Sequence, residues 1–463
     1  MITLFLLGLI VVLVVVLSAR TALATPATVY VVGAVLLTVF SGHSGDLGLP
    51  VGPDRLLLAG GLVLAYIQYR SSPEKVRLRW TATHWLLLAT AGWATFSALS
   101  AGTLRTSEGF YALLDRLGVV PMLLFVLAPL LFPTERHRRF LLVGLVALGA
   151  YLGFLALCEG LGIRALVVPR YINNPNIGIH YERARGPFTE AVANGLALYA
   201  CAVAAAMGAV TWRRRRILML VCVAVGVVCL IGTIFTLTRA VWLGTVVATL
   251  ATMLLAPRLR RYVLPVAGLG VVAVLAILLL LPGLASQASE RAEDQLPVWD
   301  RLNSNATAVR IINDRPLTGI GWQRFAQDNV DYVRQADDYP ITATDIEVHN
   351  VFLSRGAELG LPGFFLYIAA LTSIVGRAMF SRPEDRELHI WRYGLFAIGI
   401  SWFLAANFGP LSYAFPNTLL WLLAGVVLAP RFTAGATPTQ AAATAADPHD
   451  PETSGPAPAR AAS

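Results

Sequence analysis

At 463 residues, with 56% hydrophobic and only 14% charged residues, the chain is too apolar for an ordinary soluble protein. Its net charge of +9 does not indicate nucleic-acid binding, because the arginines cluster in short loops between apolar runs, as membrane topology signals do. The alternating pattern of an outer-membrane barrel is not found. The sequence therefore predicts an all-α fold, a polytopic transmembrane helical bundle with one large extracytoplasmic loop domain.

Apolar runs of spanning length recur along the chain, and we predict about twelve or thirteen spans. The candidates are approximately 2–18, 26–42, 54–69, 83–100, 112–132, 139–161, 190–212, 217–237, 240–256, 262–281, 356–380, 390–407 and 413–430. The first run has no preceding basic residue and no convincing cleavage site before Arg20, which favours an uncleaved helix over a signal peptide. Twelve spans would place the N-terminus inside and thirteen would place it outside.

Basic loops recur after every second span and predict the orientation of the chain in the membrane. The clearest are 75–79, 137–139, 213–216, 258–261 and 377–386, which the positive-inside rule assigns to the cytoplasm. The intervening loops, 43–53, 101–111, 162–189, 237–240, 282–355 and 408–414, are then outside. We divide the chain into transmembrane helices with short loops (1–281), a large extracytoplasmic loop (282–355), C-terminal transmembrane helices (356–431) and a disordered cytoplasmic tail (432–463).

The outer loops carry arginines that topology signals do not explain. The 162–189 segment contains Arg164, Arg170, Arg183 and Arg185, where the positive-inside rule disfavours cations. A polyanionic ligand would account for them, because a guanidinium matches phosphate oxygens bidentately. Arg239 lies between two apolar runs in TIFTLTRAVWLG (233–244). It is either a functional cation or a side chain that snorkels to the headgroups.

The interval from 282 to 365 is the one long polar stretch of the chain. An amphipathic helix is predicted to begin near Trp299 and to carry Arg301 and Arg310; it breaks at Pro316, Gly319 and Gly321. His349 stands where the chain turns apolar again. It could accept a proton near neutral pH, or it could merely form a hydrogen bond at a helix start, and composition leaves the two even. Metal ligation by Asp345, Glu347 and His349 is a further alternative.

Three motifs occur in order over roughly residues 100–430: an R-x-x-GPFTEAxANG-like segment (Arg183 to Gly195), LTRAxxLG (Leu237 to Gly244), and PLTGIGWxxF followed by HNxxLxxxxELGLxG. Together they resemble the O-antigen ligase / O-antigen polymerase superfamily. The segment with His349, Asn350, Glu358, Gly360 and Gly363 is the most specific part.

The resemblance implies a glycosyltransferase in the bacterial inner (cytoplasmic) membrane, a multi-pass protein with its active site on the periplasmic or extracytoplasmic face. The implied reaction is inverting, metal-independent and without a cofactor. The donor would be a glycan on undecaprenyl diphosphate, and the acceptor a hydroxyl of a lipid, glycan or protein. Membrane lipid would surround the helices, and nucleic acid would not be a partner.

The same resemblance implies catalytic roles for His349, Arg239 and Arg301. His349 would activate or position the acceptor hydroxyl, and the arginines would stabilise the leaving diphosphate. Substrate-binding roles are expected for Arg185, Arg183, Arg310, Asn350 and Glu358, and no metal ligands are expected.

Two departures from the family pattern are visible. Thr238 stands where the family usually has Ser before the hairpin arginine. Glu190-Ala191 replaces the usual Pro-Asn, with Asn194 further on, which leaves Arg183 and Arg185 as alternatives for the first arginine of the family. The function also has alternatives: a polysaccharide polymerase of the same superfamily or, more remotely, a transporter of a polyanion or lipid-linked glycan.

Overall fold

The computed structural model of the chain describes residues 24–49, 51–71, 77–280, 286, 295–334 and 347–434. The predicted first span (2–18), nearly all of the predicted tail and parts of the large loop lie outside these residues. The helices of the described part are α1 (Pro26–Leu37), α2 (Pro53–Ser71), α3 (Ala82–Ser100), α4 (Ser107–Ala112), α5 (Val119–Leu131), α6 (Glu135–Gly160), α7 (Ala191–Thr211), α8 (Arg216–Phe235), α9 (Arg239–Leu255), α10 (Val263–Leu280), α11 (Leu296–Asp314), α12 (Phe325–Asp328), α13 (Val351–Leu371), α14 (Arg386–Ala406) and α15 (Ala414–Phe432).

The predicted helical membrane bundle is confirmed. Within the described residues, six helices are long and apolar enough to cross a membrane, namely α6, α7, α8, α13 with its continuation to Met379, α14 and α15. A bent pair, Ser107–Leu117 with Val119–Leu131, would make a seventh span, with an angle of 42° between its halves. Pro26–Phe40 and α9 are shorter apolar helices. The total of about twelve or thirteen spans stays a prediction.

A short strand pair accompanies the helices. Arg77–Leu78 (β1) and Thr433–Ala434 (β2) form an antiparallel pair of two-residue strands. The pair joins the chain before α3 to the end of α15, and it leaves the helical class of the fold unchanged.

The helices differ in what they face. In both α7 and α15, 83% of the spanning window is buried inside the protein, so these helices form the centre of the bundle. On α8 and α10, in contrast, Ile217 is 78% exposed and Leu264 is 82% exposed. Large apolar side chains in such positions fit a surface in contact with lipid.

Polar contacts join loops at each end of the bundle. At one end, the His43 ring lies 3.1 Å from the Thr189 hydroxyl, and Asn350 donates a hydrogen bond of 3.3 Å to Asn407. Each of these contacts joins segments at the ends of spans that the sequence predicts to be outside. At a span end predicted to be cytoplasmic, Arg138 Nε donates to Glu387 Oε2 at 2.8 Å.

Candidate active site

The site is built around a break in α13. Gly360 has φ 69° and ψ 178°, which interrupts the helical backbone directly after Leu359. The preceding PLTGIGW segment occupies the break: Ile320 N–H donates to the Ala357 carbonyl at 2.9 Å, and Leu361 N–H donates to the Pro316 carbonyl at 2.7 Å. The loop therefore satisfies backbone groups that the break releases.

Two glycines make this close approach of backbone to backbone possible. A Cβ atom at Gly360 would overlap the Leu317 carbonyl, and one at Gly319 would overlap the Ala357 carbonyl. Both glycines also have positive φ angles, 69° and 64°. The glycines of the motif are thus explained by packing of the loop against α13.

Trp322 anchors the same loop to the helices next to it. Its side chain is fully buried, and its backbone N–H donates to Ser97 Oγ at 3.1 Å. The indole N–H donates to the Gly109 carbonyl at 3.3 Å, and the Arg355 guanidinium lies 4.9 Å from the ring centroid. The loop is therefore fixed on α3, α4 and α13 together.

Asn350 fixes the position of His349. The Asn350 side-chain oxygen caps α13 by accepting from Phe352 N–H at 2.9 Å and Leu353 N–H at 3.1 Å. Val348, on the other side of His349, is buried. Asn350 is therefore the N-cap that fixes the chain next to the histidine, and its substrate-binding role stays a prediction.

His349 is surrounded so that its neutral form is favoured. Burial lowers its pKa, and the positive charge of Arg301 lowers the pKa further, against weaker opposing effects of Asp300 and Glu347. A neutral imidazole can accept a proton, so the arrangement suits a general base.

Arg301 brings a second cation into the same place. Burial lowers the pKa of Arg301, and the next contribution is repulsion by Arg239. The Nε of Arg301 is buried and has no hydrogen-bond partner among the residues that the structure describes. Arg239 is exposed at the first position of α9. Arg301 thus interacts electrostatically with both Arg239 and His349, and an anion would relieve the repulsion between the two guanidiniums.

Arg185 has a different task. Its side chain is fully buried, and its Nη atoms donate to the carbonyls of Ile177 at 2.6 Å, Ile172 at 2.7 Å and Asn174 at 2.6 Å. Burial lowers the pKa of this guanidinium. The two Nη atoms thus donate to the chain's own backbone, whereas the buried Nε has no hydrogen-bond partner among the described residues; diphosphate binding by Arg185 stays a prediction. Arg185 organises the 162–189 loop.

Arg183 is the more exposed of the two alternatives. It is half-buried, and its Nε lacks a hydrogen-bond partner within the described part of the chain. The next residue, Ala184, donates its N–H to the Phe235 carbonyl at 3.0 Å. This bond attaches the loop to the hairpin that leads to Arg239.

Arg310 and Glu358 also have structural contacts. Arg310 donates to the Tyr332 carbonyl at 3.0 Å, which braces the loop after α12 against α11. Glu358 is only 2% exposed, and Arg116 and Arg355 are the cations that act on it most strongly. The substrate-binding roles of both residues stay predictions.

Sequence reasoning missed the charges around Glu358. Arg355 donates to the Arg116 carbonyl at 2.7 Å, and Arg116 pairs with Glu347 at 2.6 Å. Arg116 stands at an outer span end, where the positive-inside rule disfavours a cation, and this signal could have identified it.

A cavity of about 470 Å³ opens at the same end of the bundle. The beginning of α2, the α4 segment with its continuation, and the start of α15 form its walls. Glu347, which precedes His349 by two residues in the chain, lines this cavity, whereas His349 itself does not.

Among the described residues, no group of three or more His, Cys, Asp or Glu side chains could hold a metal ion. Asp345, one member of the possible metal set, lies outside these residues. Metal independence therefore stays a prediction. The four cysteines are buried and free.

The region that matches a known protein family includes most of the residues of this site. A family model described as O-antigen ligase matches residues 224–368, which include Arg239, Arg301, Arg310, His349, Asn350 and Glu358. Arg183 and Arg185 precede the matched region. No curated protein matches the chain.

Proposed function

We propose that the chain is a member of the O-antigen ligase family, whose model matches residues 224–368, and that it transfers a glycan from a polyprenyl diphosphate to an acceptor hydroxyl. The supporting observation is the electrostatic interaction of Arg301 with both His349 and Arg239, at the end of the bundle where the predicted outer loops lie. By the positive-inside rule, this end would be on the extracytoplasmic face of the inner membrane.

His349 is the proposed general base. In its neutral form it takes the proton of the acceptor hydroxyl while that oxygen attacks the anomeric carbon of the donor sugar. The new carbon–oxygen bond forms as the bond from the anomeric carbon to the phosphate oxygen breaks, and the electron pair leaves with the diphosphate. Attack from the face opposite the leaving group inverts the anomeric configuration.

Arg239 and Arg301 are the proposed stabilisers of the leaving diphosphate. Negative charge on this group grows as the bond breaks, so fixed guanidiniums stabilise the transition state more than the bound substrate. Arg301 is held on α11, which packs against α13 through Ala308, Ile311 and Ala357. The diphosphate is therefore met by a group whose position is set before binding. Arg183 is proposed as a further contact to the donor head group.

Arg239 is also placed where the lipid part of the donor can reach it. It begins α9, an apolar helix, and is exposed there. A polyprenyl tail can lie along such apolar helix faces while the diphosphate remains at their end. This position accounts for an exposed arginine without a polar loop around it.

The test is a transfer assay with the purified full-length protein, the native undecaprenyl-diphosphate glycan and the cell's acceptor fraction. We expect His349→Gln and Arg239→Gln each to lower kcat by on the order of 10²–10³. His389→Gln and Arg382→Gln, near the opposite end of the bundle, are the matched controls and should leave kcat unchanged. Parent-like turnover in His349→Gln would refute the proposed base.

The product of this assay also distinguishes the two activities considered for this protein, ligase and polymerase. Glycan on a new carrier identifies a ligase, whereas a longer polyprenyl-linked chain identifies a polymerase. Passage of the intact lipid-linked glycan into sealed vesicles without bond cleavage would support the transporter alternative instead.

A further inference from the structure

The cavity lined by Glu347 has an unusual composition for a protein that handles a diphosphate. Four carboxyl groups (Asp54, Glu108, Asp115 and Glu347) and two guanidiniums (Arg55 and Arg116) line it, an excess of two acidic groups. A diphosphate would be repelled there. The cavity therefore has a task different from that of the Arg239–Arg301 pair.

Both cations of the cavity are already paired. Arg55 forms an ion pair with Asp115 and lies 3.4 Å from Asp54, and Arg116 lies 2.6 Å from Glu347. Neither guanidinium is available to a ligand anion without loss of an existing pair. The remaining carboxylate oxygens are acceptors of hydrogen bonds.

Asp54 supplies the clearest unused acceptor. The residue is 3% exposed, yet its Oδ2 accepts no hydrogen bond within the described residues. Arg55 Nε lies 3.4 Å from this oxygen and neutralises its charge without donating to it. A buried carboxylate oxygen in this condition is stabilised by a hydroxyl donor from a ligand.

The wall of the cavity is otherwise suited to a sugar. Ser107, Gln323 and Ser412 add neutral polar groups, and Tyr111, which is 47% exposed, adds an aromatic ring on which the C–H face of a sugar can rest. Its volume of about 470 Å³ falls in the range of small-molecule sites, about 300–1,000 Å³.

We infer that this cavity binds the acceptor, and that it selects an uncharged, hydroxyl-rich sugar over an anionic one. The inference rests on the proposed function and adds the chemical class of the acceptor. Glu347 connects the cavity with the proposed base, because it lines the cavity and stands two residues before His349. An acceptor in the cavity would thus present a hydroxyl near His349.

The sequence positions of the residues that line the cavity support a role in acceptor specificity. Of its lining residues, only Gln323 and Glu347 fall within the matched range 224–368. The rest come from parts of the chain that the family model does not cover. The cavity therefore draws mostly on sequence outside the matched range, which contains Arg239, Arg301 and His349.

The experiment compares two forms of one acceptor. The neutral acceptor fraction, purified by anion exchange, is assayed beside the same material after oxidation of its primary alcohols to carboxylates. The parent protein should use the neutral form with a kcat/KM at least about tenfold higher. Equal or better use of the oxidised form, or acceptor activity confined to the anionic fraction, would overturn the inference.

Variants of the cavity sharpen the result. Glu108→Lys, at the exposed rim, should reduce the preference for the neutral form severalfold. Asp54→Asn should raise the acceptor KM about tenfold without changing the donor KM. Asp331→Asn, an exposed carboxylate of the large loop outside the cavity, is the matched control and should change neither quantity.

The outcomes separate this inference from the proposed function. A parent protein that transfers no glycan to any acceptor refutes the function, and the acceptor inference falls with it. Normal transfer with a preference that Glu108→Lys leaves unchanged refutes the acceptor inference alone. Because Glu108 is exposed, this variant tests the inference even where Asp54→Asn fails to fold.

Discussion

Arg116 Nη1 donates a hydrogen bond of 2.6 Å to Glu347 Oε1, across a separation of 231 residues. The other oxygen of Glu347 accepts from Ser412 Oγ at 3.2 Å. This pair connects three elements: the segment after α4, the residues that lead to His349, and the residues before α15. It therefore ties the segment that leads to the proposed base to the wall of the cavity.

The two members of the Arg116–Glu347 pair should contribute unequally to the stability of the fold. Arg116→Met should lower the melting temperature more than Glu347→Gln, because Arg116 also faces the buried Glu358, whereas the Glu347 side chain is 36% exposed and can be hydrated. The double variant should melt close to Arg116→Met. Thermal unfolding in detergent measures all three.

The exposed pair Arg139–Glu135 provides the control for this experiment. Both side chains are 48% exposed, so Arg139→Met should change the melting temperature little. Strictly additive shifts for Arg116→Met and Glu347→Gln would contradict a direct coupling between them.

The pH dependence of transfer should follow the deprotonation of His349. Since burial and Arg301 lower the pKa of His349, kcat should rise with pH through a midpoint below the ordinary histidine value and be level near pH 7. Arg301→Gln removes a positive charge that opposes protonation. The pKa of His349 then rises, and the acid limb should move to higher pH.

A pH–kcat profile of parent and Arg301→Gln protein measures this shift, with Arg382→Gln as the distant control. An acid limb that stays in place, or moves to lower pH, would disprove electrostatic coupling between Arg301 and His349. The test is independent of the loss of rate that Arg301→Gln causes by itself.

Arg183 and Arg185 should respond differently to the same substitution. Arg183→Gln should raise the donor KM several-fold and leave the melting temperature unchanged, because no hydrogen bond of its Nε within the described structure is lost. Arg185→Gln should lower the melting temperature, since a buried carbonyl left without a partner costs about 1–3 kcal/mol. Donor titration and thermal unfolding together distinguish the two; a lower donor affinity in a fully stable Arg185→Gln protein would reverse their assignment.

Gly360→Ala should destabilise the break in α13 and, with it, the candidate active site. With φ 69° and ψ 178°, this position lies in a region that is essentially reserved for glycine, and a residue held there costs about 1–3 kcal/mol. The added Cβ would also overlap the Leu317 carbonyl. We expect a lower melting temperature and a loss of transfer activity.

Gly376→Ala is the control for Gly360→Ala, because a Cβ at Gly376 meets nothing within 4 Å. It should be neutral or slightly stabilising. Retained stability and turnover in Gly360→Ala would show that the docking of the PLTGIGW loop does not depend on this glycine.

Transfer should persist after removal of divalent ions. Guanidiniums stabilise the leaving diphosphate in the proposed mechanism, so exhaustive chelation should leave kcat within about twofold of the untreated protein. Loss of activity on chelation, with recovery on addition of one divalent ion and not of others, would refute metal independence.

The helices could be predicted because the requirement for them is local. Apolar runs such as those of α6 and α8 must satisfy their own backbone groups in lipid, so length and composition are sufficient. The bend between α4 and α5 and the break at Gly360 were not predicted, because each depends on contacts with residues far along the chain.

The sequence by itself determined the membrane bundle, the predicted alternation of loops between its two ends, and the candidates Arg239, Arg301 and His349. Residue types, spacing and family motifs carry that information. Only the tertiary structure decided that Arg185, Arg310, Asn350 and Glu358 contact the protein's own groups. It also revealed the acidic cavity. The sequence shows that a residue is an arginine but not whether its donors bind a phosphate or a backbone carbonyl. The partners of the side chain are set only when distant segments fold against each other.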